Sequence, residues 1–202
     1  VVSFRPGHLR NPYALPQALL ATGYRYSSSV TANNSLSHLP FRLTYNRGLK
    51  GELEVFEFPV TVEDEALPKL RDRLASAIEL SKKISRYGGT FVALIHTDVL
   101  DHKLAFERGF VAAVRPYSWF GSLREFGDWW SVRNRVELDL EDNGRTLSLT
   151  LPDSIDGLTL SIPTGLQLVS TEPAGLKATQ DGNSIVLGKA RGQVKLLLER
   201  KG

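Results

Sequence analysis

The run Ser3-Phe4-Arg5-Pro6-Gly7-His8-Leu9-Arg10, followed by Gly23-Tyr24-Arg25-Tyr26-Ser27-Ser28-Ser29, decides how the rest of the chain is read. Val1 to Phe4 is a short apolar run with the pattern of a buried strand. It empties into a loop carrying Arg, Pro, Gly and His, after which a short helix and a second strand are expected. In α/β proteins, loops at the carboxyl ends of buried strands are where ligands and catalytic groups gather. Read locally, the same stretch is equally an ordinary strand-to-helix turn with two surface arginines. The remainder of the chain decides between the two.

The 202 residues, 42% hydrophobic and 23% charged, have an ordinary globular composition, enough for one medium domain or two small ones. The net charge of +3 is dispersed, with no Lys/Arg run longer than a pair such as Lys82-Lys83, so nucleic acid is not an expected partner. Cysteine is absent, which removes disulfides, thiolate metal sites and a Cys nucleophile together. No apolar run approaches the roughly 20 residues needed to span a bilayer. The chain holds no methionine, even at position 1, and opens within a strand-like run, as if cut within a domain. Val1 to Phe4 is accordingly expected to pair with a strand outside this sequence.

Taken in order, Leu15 to Ala21 reads as a helix with Pro16 in its first turn and Gly23 as its stop. Tyr24 to Val30 reads as a strand, Thr31 to Leu49 as a long irregular segment, and Leu53 to Phe58 as an alternating strand. Leu67, Leu70, Leu74, Ala77, Ile78 and Ile84 recur at helical spacing, with Glu63-Asp64-Glu65 expected at the start of that helix and Gly88-Gly89 stopping it. Thr90 to Ile95 is a continuous apolar run, the signature of a strand buried on both faces. A helix from Leu100 to Val114, a short strand at Tyr117 to Phe120 and a helix capped by Ser122 and Glu125 complete this part. From Arg135 the period changes to two. Val136–Leu140 and Thr146–Leu151 flank an Asp142-Asn143-Gly144 turn, and further short strands come after it with no helical pattern. The expected architecture is an α/β unit over 1–134 and a small all-β, sandwich-like domain over 135–202.

Two strand-end loops carry the candidate chemistry, Arg5-Pro6-Gly7-His8 and His96-Thr97-Asp98. With parallel strands both fall on one face, and a histidine there can serve as a general acid. A lone His after a buried strand is more often structural. No His-x-x-x-His or Cys-x-x-Cys pair, Gly-rich phosphate loop or Gly-x-Ser-x-Gly elbow occurs, so this chain offers no metal ligands by motif. Phe126, Trp129 and Trp130 at helical spacing are expected to pack, whereas Trp119 is the better candidate to stack on a sugar ring.

Ser-Phe-Arg-Pro-Gly at residues 3–7, Gly23-Tyr24-Arg25-Tyr26-Ser27-Ser28-Ser29-Val30, Glu57-Phe58-Pro59-Val60-Thr61, Leu94-Ile95-His96 and Trp129-Trp130-x-x-Arg133 occur in an order that resembles the second half of a polysaccharide deacetylase (NodB-like) domain. The resemblance covers roughly residues 1–134. It implies part of a distorted (β/α) barrel and hydrolysis of acetyl groups from a glycan, with a divalent metal, usually zinc, in the complete protein. It further implies that Arg5 holds a catalytic aspartate, that His96 is the general acid, and that Pro6, Gly7 and His8 line the substrate cleft. The family's Asp-Asp and His-x-x-x-His motifs belong to the first half of its domain and have no counterpart in this sequence. They are expected from a missing N-terminal segment or a partner chain that completes the barrel. His8 stands where the family commonly has Tyr, and no counterpart of its Asp-x-x-x-Asp-Trp motif, which tunes the histidine, is evident. The implied partner is an acetylated polysaccharide or oligosaccharide, and the implied location extracytoplasmic or at the cell envelope. The competing readings are a catalytically inactive carbohydrate-binding or structural module, and a β domain that is itself the docking or glycan-binding part.

Overall fold

Of the apolar opening run only Ser3 and Phe4 form a strand, and it is not the buried strand that the pattern suggests, since Val1 is exposed and Val2 to Phe4 are half-buried. Strand β1 (Ser3–Phe4) pairs in parallel with β2 (Tyr26–Ser27), with Ser3 opposite Tyr26. These elements come from a computed structural model that describes residues 1–47 and 51–200, so the Gly48 and Leu49 end of the expected irregular segment lies outside the described residues. The architecture mixes helices with several sheets, none of them closed into a barrel. No helix among the described residues is long and apolar enough to cross a membrane. The chain divides into two compact units, residues 1–125 and residues 126 onward.

In the first unit β2 also pairs in parallel with β4 (Glu52–Glu57), and β3 (Phe41–Thr44) runs antiparallel on the far side of β4. Phe58 and Pro59 carry β4 into β5 (Val60–Glu63), which pairs in parallel with β6 (Val92–Leu94). The backbone keeps its neighbour across that joint, since Phe58 N–H donates to Ser27 O at 2.8 Å and Val60 N–H to Val30 O at 2.8 Å. Strands β1, β2, β4, β5 and β6 therefore point the same way, and their exits share one end of the unit. Tyr26, Phe56 and Phe58 are buried, with the Tyr26 and Phe58 rings edge to face at 6.0 Å.

Helix α1 (Leu15–Ala21) lays Leu19 against Leu43 and Val55. The chain after Val30 is less irregular than its composition implies, since it holds the short helix α2 (Ala32–Ser35) as well as β3. Helix α3 runs Leu74–Ser85, later than the acidic triplet suggests, because Glu63 still belongs to β5 and Asp64 turns inward instead of opening the helix. Helix α4 (Asp101–Val114) packs through Phe106 and Phe110 on Ala77 of α3 and on Leu70 of the 3-10 turn (Leu70–Arg73) before it. Gly109 does not interrupt it: a Cβ there would stand 2.8 Å from Leu74 Cδ2, so the missing side chain lets the two helices close. Strand β6 is not buried on both faces as its apolar run suggests. Among the described residues it pairs only with β5, and Ala93 is exposed. No strand forms at Tyr117 to Phe120; Arg115–Tyr117 is a single 3-10 turn.

Helix α5 (Leu123–Arg133) begins with the expected reciprocal cap. Ser122 Oγ accepts from Glu125 N–H at 3.2 Å and Glu125 Oε2 accepts from Ser122 N–H at 2.8 Å. The second unit starts within this helix rather than after residue 134, because Trp129, Val132 and Val136 pack against the β core. Trp130 is buried, Arg133 stacks over its ring at 4.8 Å, and Trp129 Nε1–H donates to Asp156 O at 2.8 Å, so both tryptophans serve packing as expected. Beyond α5, β7 (Glu137–Glu141) and β8 (Thr146–Ile155) form a hairpin closed by Asp142-Asn143-Gly144, whose φ angles of 53°, 55° and 86° make glycine the natural third residue. The unit has two antiparallel sheets, one ordered β10 (Leu166–Glu172), β13 (Ala190–Arg200), β8, β7 and the other β11 (Ala178–Asp181), β12 (Ser184–Leu187), β9 (Leu158–Ser161). Alternate residues of both sheets, such as Leu149, Leu196 and Ile185, meet in one core.

Leu196 is 0% exposed at that core and Leu140 is 62% exposed on β7. Leu196→Ala is expected to cost about 2–5 kcal/mol, whereas Leu140→Ala is expected to stay within about 0.5 kcal/mol. Urea denaturation of the two variants measures the difference.

Candidate functional site

Each parallel strand of the first unit delivers a polar residue at its carboxyl end, and these residues gather into two clusters. The first forms where β1, β2 and β4 end. Arg5 leaves β1 and donates from Nε to Ser28 O at 3.2 Å and from Nη2 to Ser28 Oγ at 2.9 Å. Ser28 Oγ donates in turn to Phe58 O at 2.9 Å. Glu57, fully buried at the end of β4, accepts on Oε1 from Ser29 N–H at 2.6 Å and Val30 N–H at 2.9 Å. Burial pushes the Glu57 carboxyl above its ordinary range, against the hydrogen bonds from Ser27, Val30 and Ser29 and the nearby charge of Arg5. Arg5 is therefore anchored to the serine turn after β2, and no aspartate contacts it among the described residues.

The loop after Arg5 has an unusual backbone. Pro6 is extended and leads into a 3-10 turn over Gly7–Leu9 in which His8 and Leu9 have φ of 54° and 48°. Two consecutive non-glycine residues in the left-handed region are costly and mark a shaped loop. Gly7 itself has no atom within 4 Å of a notional Cβ, and both it and His8 are exposed.

The second cluster forms where β5 and β6 end. Asp64 follows β5, and its N–H donates to Leu94 O at 3.1 Å, which turns the carboxylate inward beside the exit of β6. His96 Nδ1 lies 2.8 Å from Asp64 Oδ1, and His96 N–H donates to Asp64 Oδ2 at 3.1 Å. Lys103, in the first turn of α4, comes back beneath the loop. Its Nζ is 2.6 Å from Asp64 Oδ2, 2.6 Å from Asp98 Oδ1 and 3.2 Å from His96 O. The side chains of Asp64 and Lys103 are 1% and 7% exposed, while that of His96 is 48% exposed. The carboxylate thus fixes the Nδ1 side of a half-exposed ring, and its bonds do not involve Nε2.

The electrostatics arise from these contacts. Burial alone raises the Asp64 carboxyl, but hydrogen bonds from Lys103, the His96 ring and the His96 backbone outweigh it and bring the pKa down to about 2. The His96 imidazole is raised above its ordinary value by its hydrogen bond to Asp64 and by that carboxylate's charge. Lys103 is raised by Asp64 and Asp98 in the same way. An imidazole held at Nδ1 by a carboxylate and open at Nε2 can deliver a proton to a leaving group.

Of the residues singled out from the sequence, Arg5, Pro6, Gly7 and His8 cluster after β1 and His96 stands after β6, at the same end of the parallel strands. No hydrogen bond or ion pair joins Arg5 to His96 among the described residues. Trp119 is 62% exposed in the stretch before α5. Asp64 is the carboxylate that contacts the His96 ring, which the sequence alone did not reveal, and Asp98 touches Lys103 instead of the imidazole. Among the described residues no group of three or more His, Asp or Glu is arranged to hold a metal ion.

Asp64→Asn is expected to bring the His96 pKa down toward 6.5, read from its ring resonances among the four histidines of the chain. Asp64 titrates lower in the folded than in the unfolded chain. Its contribution to stability is therefore present above pH 3.8 and lost as pH falls through about 2, as acid denaturation checks. For His96 the sign is opposite, with stability present below pH 6.5 and lost as pH rises through its folded value. No family model matches the chain, and no curated protein or solved structure matches it.

Proposed function

We propose that this chain is the acid-donating part of a polysaccharide deacetylase-like carbohydrate esterase. The observation that carries the reading is the buried Asp64 holding Nδ1 of a half-exposed His96 at the end of β6, on the side to which the Arg5 loop also opens. On this reading the parallel strands β1, β2, β4, β5 and β6 are an arc of a distorted (β/α) barrel, and the two sheets of the second unit form a sandwich. The substrate is an acetylated polysaccharide or oligosaccharide of the cell wall or an exported glycan, met outside the cytoplasm.

Once water, deprotonated by a base outside residues 1–202, has added to the acetyl carbon, His96 Nε2–H protonates the departing nitrogen or oxygen of the glycan as its bond to that carbon breaks, which releases the acetyl group as acetic acid and leaves the imidazole neutral. Asp64 keeps the imidazolium in the right orientation throughout. Arg5, braced by Ser28, faces the catalytic aspartate, and Pro6, Gly7 and His8 shape the cleft beside it. The described residues assemble no set of metal-binding side chains, so they do not fit the divalent metal, zinc, of such enzymes. That metal and the base are assigned to protein outside residues 1–202, either a preceding segment or a partner chain.

A second reading, a glycan-binding module without hydrolysis, is favoured by Trp119, a residue 62% exposed next to the exposed Phe120. Acetate release from acetylated oligosaccharides by the completed protein separates the two. On the esterase reading, His96→Ala lowers kcat by about 100-fold or more with glycan binding retained. Full activity in that variant overturns the role of His96. Glycan binding that is abolished by Trp119→Ala, with no acetate released by the zinc-supplied protein, establishes the second reading.

A further inference from the structure

A lysine in the first turn of a helix opposes the helix dipole, and a buried one is costlier still. Lys103 is both, and it heads the buried stripe Lys103, Phe106, Phe110 and Val114 of α4. Its ammonium has three donors, and the structure gives three acceptors: Asp64 Oδ2, Asp98 Oδ1 and the carbonyl of His96. Asp64 is shared in a matching way, with Oδ1 on the imidazole and Oδ2 on Lys103.

We propose that Lys103 is the positioning residue of the Asp64–His96 pair, fixing the rotation of the carboxylate and drawing off part of the negative charge that the imidazole feels, with Asp98 setting how much of the lysine's own charge remains for that task. A buried aspartate acting alone on a histidine holds the imidazolium proton tightly, which suits orientation but slows its release. A cation on the far carboxylate oxygen returns the imidazole toward the range where a general acid both carries and surrenders its proton near neutral pH. The charged groups that act on His96 are Asp64 and Glu65 after β5, which raise its affinity for the proton, and Lys103 from α4, which lowers it. Asp98, on His96's own loop, is exposed and bound to Lys103.

The inference rests on the general-acid reading for its catalytic meaning, but its test does not. A proton titration of the His96 ring in the intact chain reads the coupling directly, whether or not acetate is ever released. Lys103→Met is expected to raise the His96 pKa by about half a unit or more. Asp98→Asn is expected to lower it, and to have less than half that effect when introduced into the Lys103→Met chain. Should Lys103→Met fail to fold, Lys103→Gln, which keeps hydrogen bonding without the charge, serves the same cycle. An unchanged or lower His96 pKa in the folded lysine variant, or an Asp98→Asn shift of equal size in both backgrounds, overturns the proposal.

Discussion

The candidate site depends on one buried carboxylate. Asp64 is almost wholly removed from solvent, and an ionised group in that position survives only because every direction around it supplies a donor: the His96 ring, the His96 backbone N–H and the Lys103 ammonium. These donors come from the exit of β6 and the first turn of α4, so satisfying Asp64 ties β5, β6 and α4 together at the end of the unit where the parallel strands open. The same bonds hold His96 at one nitrogen and leave its side chain half-exposed. Structural need and chemical capability are met here by the same few contacts.

The Arg5 cluster is built on the same principle with a different balance. Glu57 is more deeply buried than Asp64, and its hydrogen bonds come from neutral groups, the Ser29 and Val30 N–H and the Ser27 side chain, while Arg5 spends its own donors on Ser28. Desolvation therefore prevails at Glu57 and charge-assisted hydrogen bonding prevails at Asp64, and the two carboxyls move in opposite directions. Glu57 holds the serine turn in place, and that turn holds the guanidinium.

Much of this was legible in the sequence because local patterns carry it. The Ser122 to Glu125 cap, the Asp142-Asn143-Gly144 turn, the alternation from Val136 onward and the packing tryptophans are each set within a few residues, and each appears in the structure. The misreadings arose where long-range pairing decides. Thr90 to Ile95 looks doubly buried, but β6 has one strand neighbour among the described residues, and no sequence pattern reveals that. Glu63-Asp64-Glu65 looks like the acidic start of a helix, yet β5 reaches Glu63 because it pairs with Leu94, far away in the chain. That pairing is what turns Asp64 toward His96, so the carboxylate that contacts the imidazole was hidden in plain composition. One signal was available, the lysine at the head of the Phe106, Phe110 and Val114 stripe, since a cation on a buried helical face requires a buried anion.

The most direct measurement is the nitrogen chemical shifts of the His96 ring across a pH titration of the intact chain. The account predicts that the neutral ring carries its proton on Nδ1, held by Asp64, and that it titrates above 6.5. A neutral ring protonated on Nε2, with a midpoint at or below 6.5, would contradict it, because Asp64 would then not be the group that orients and charges the histidine.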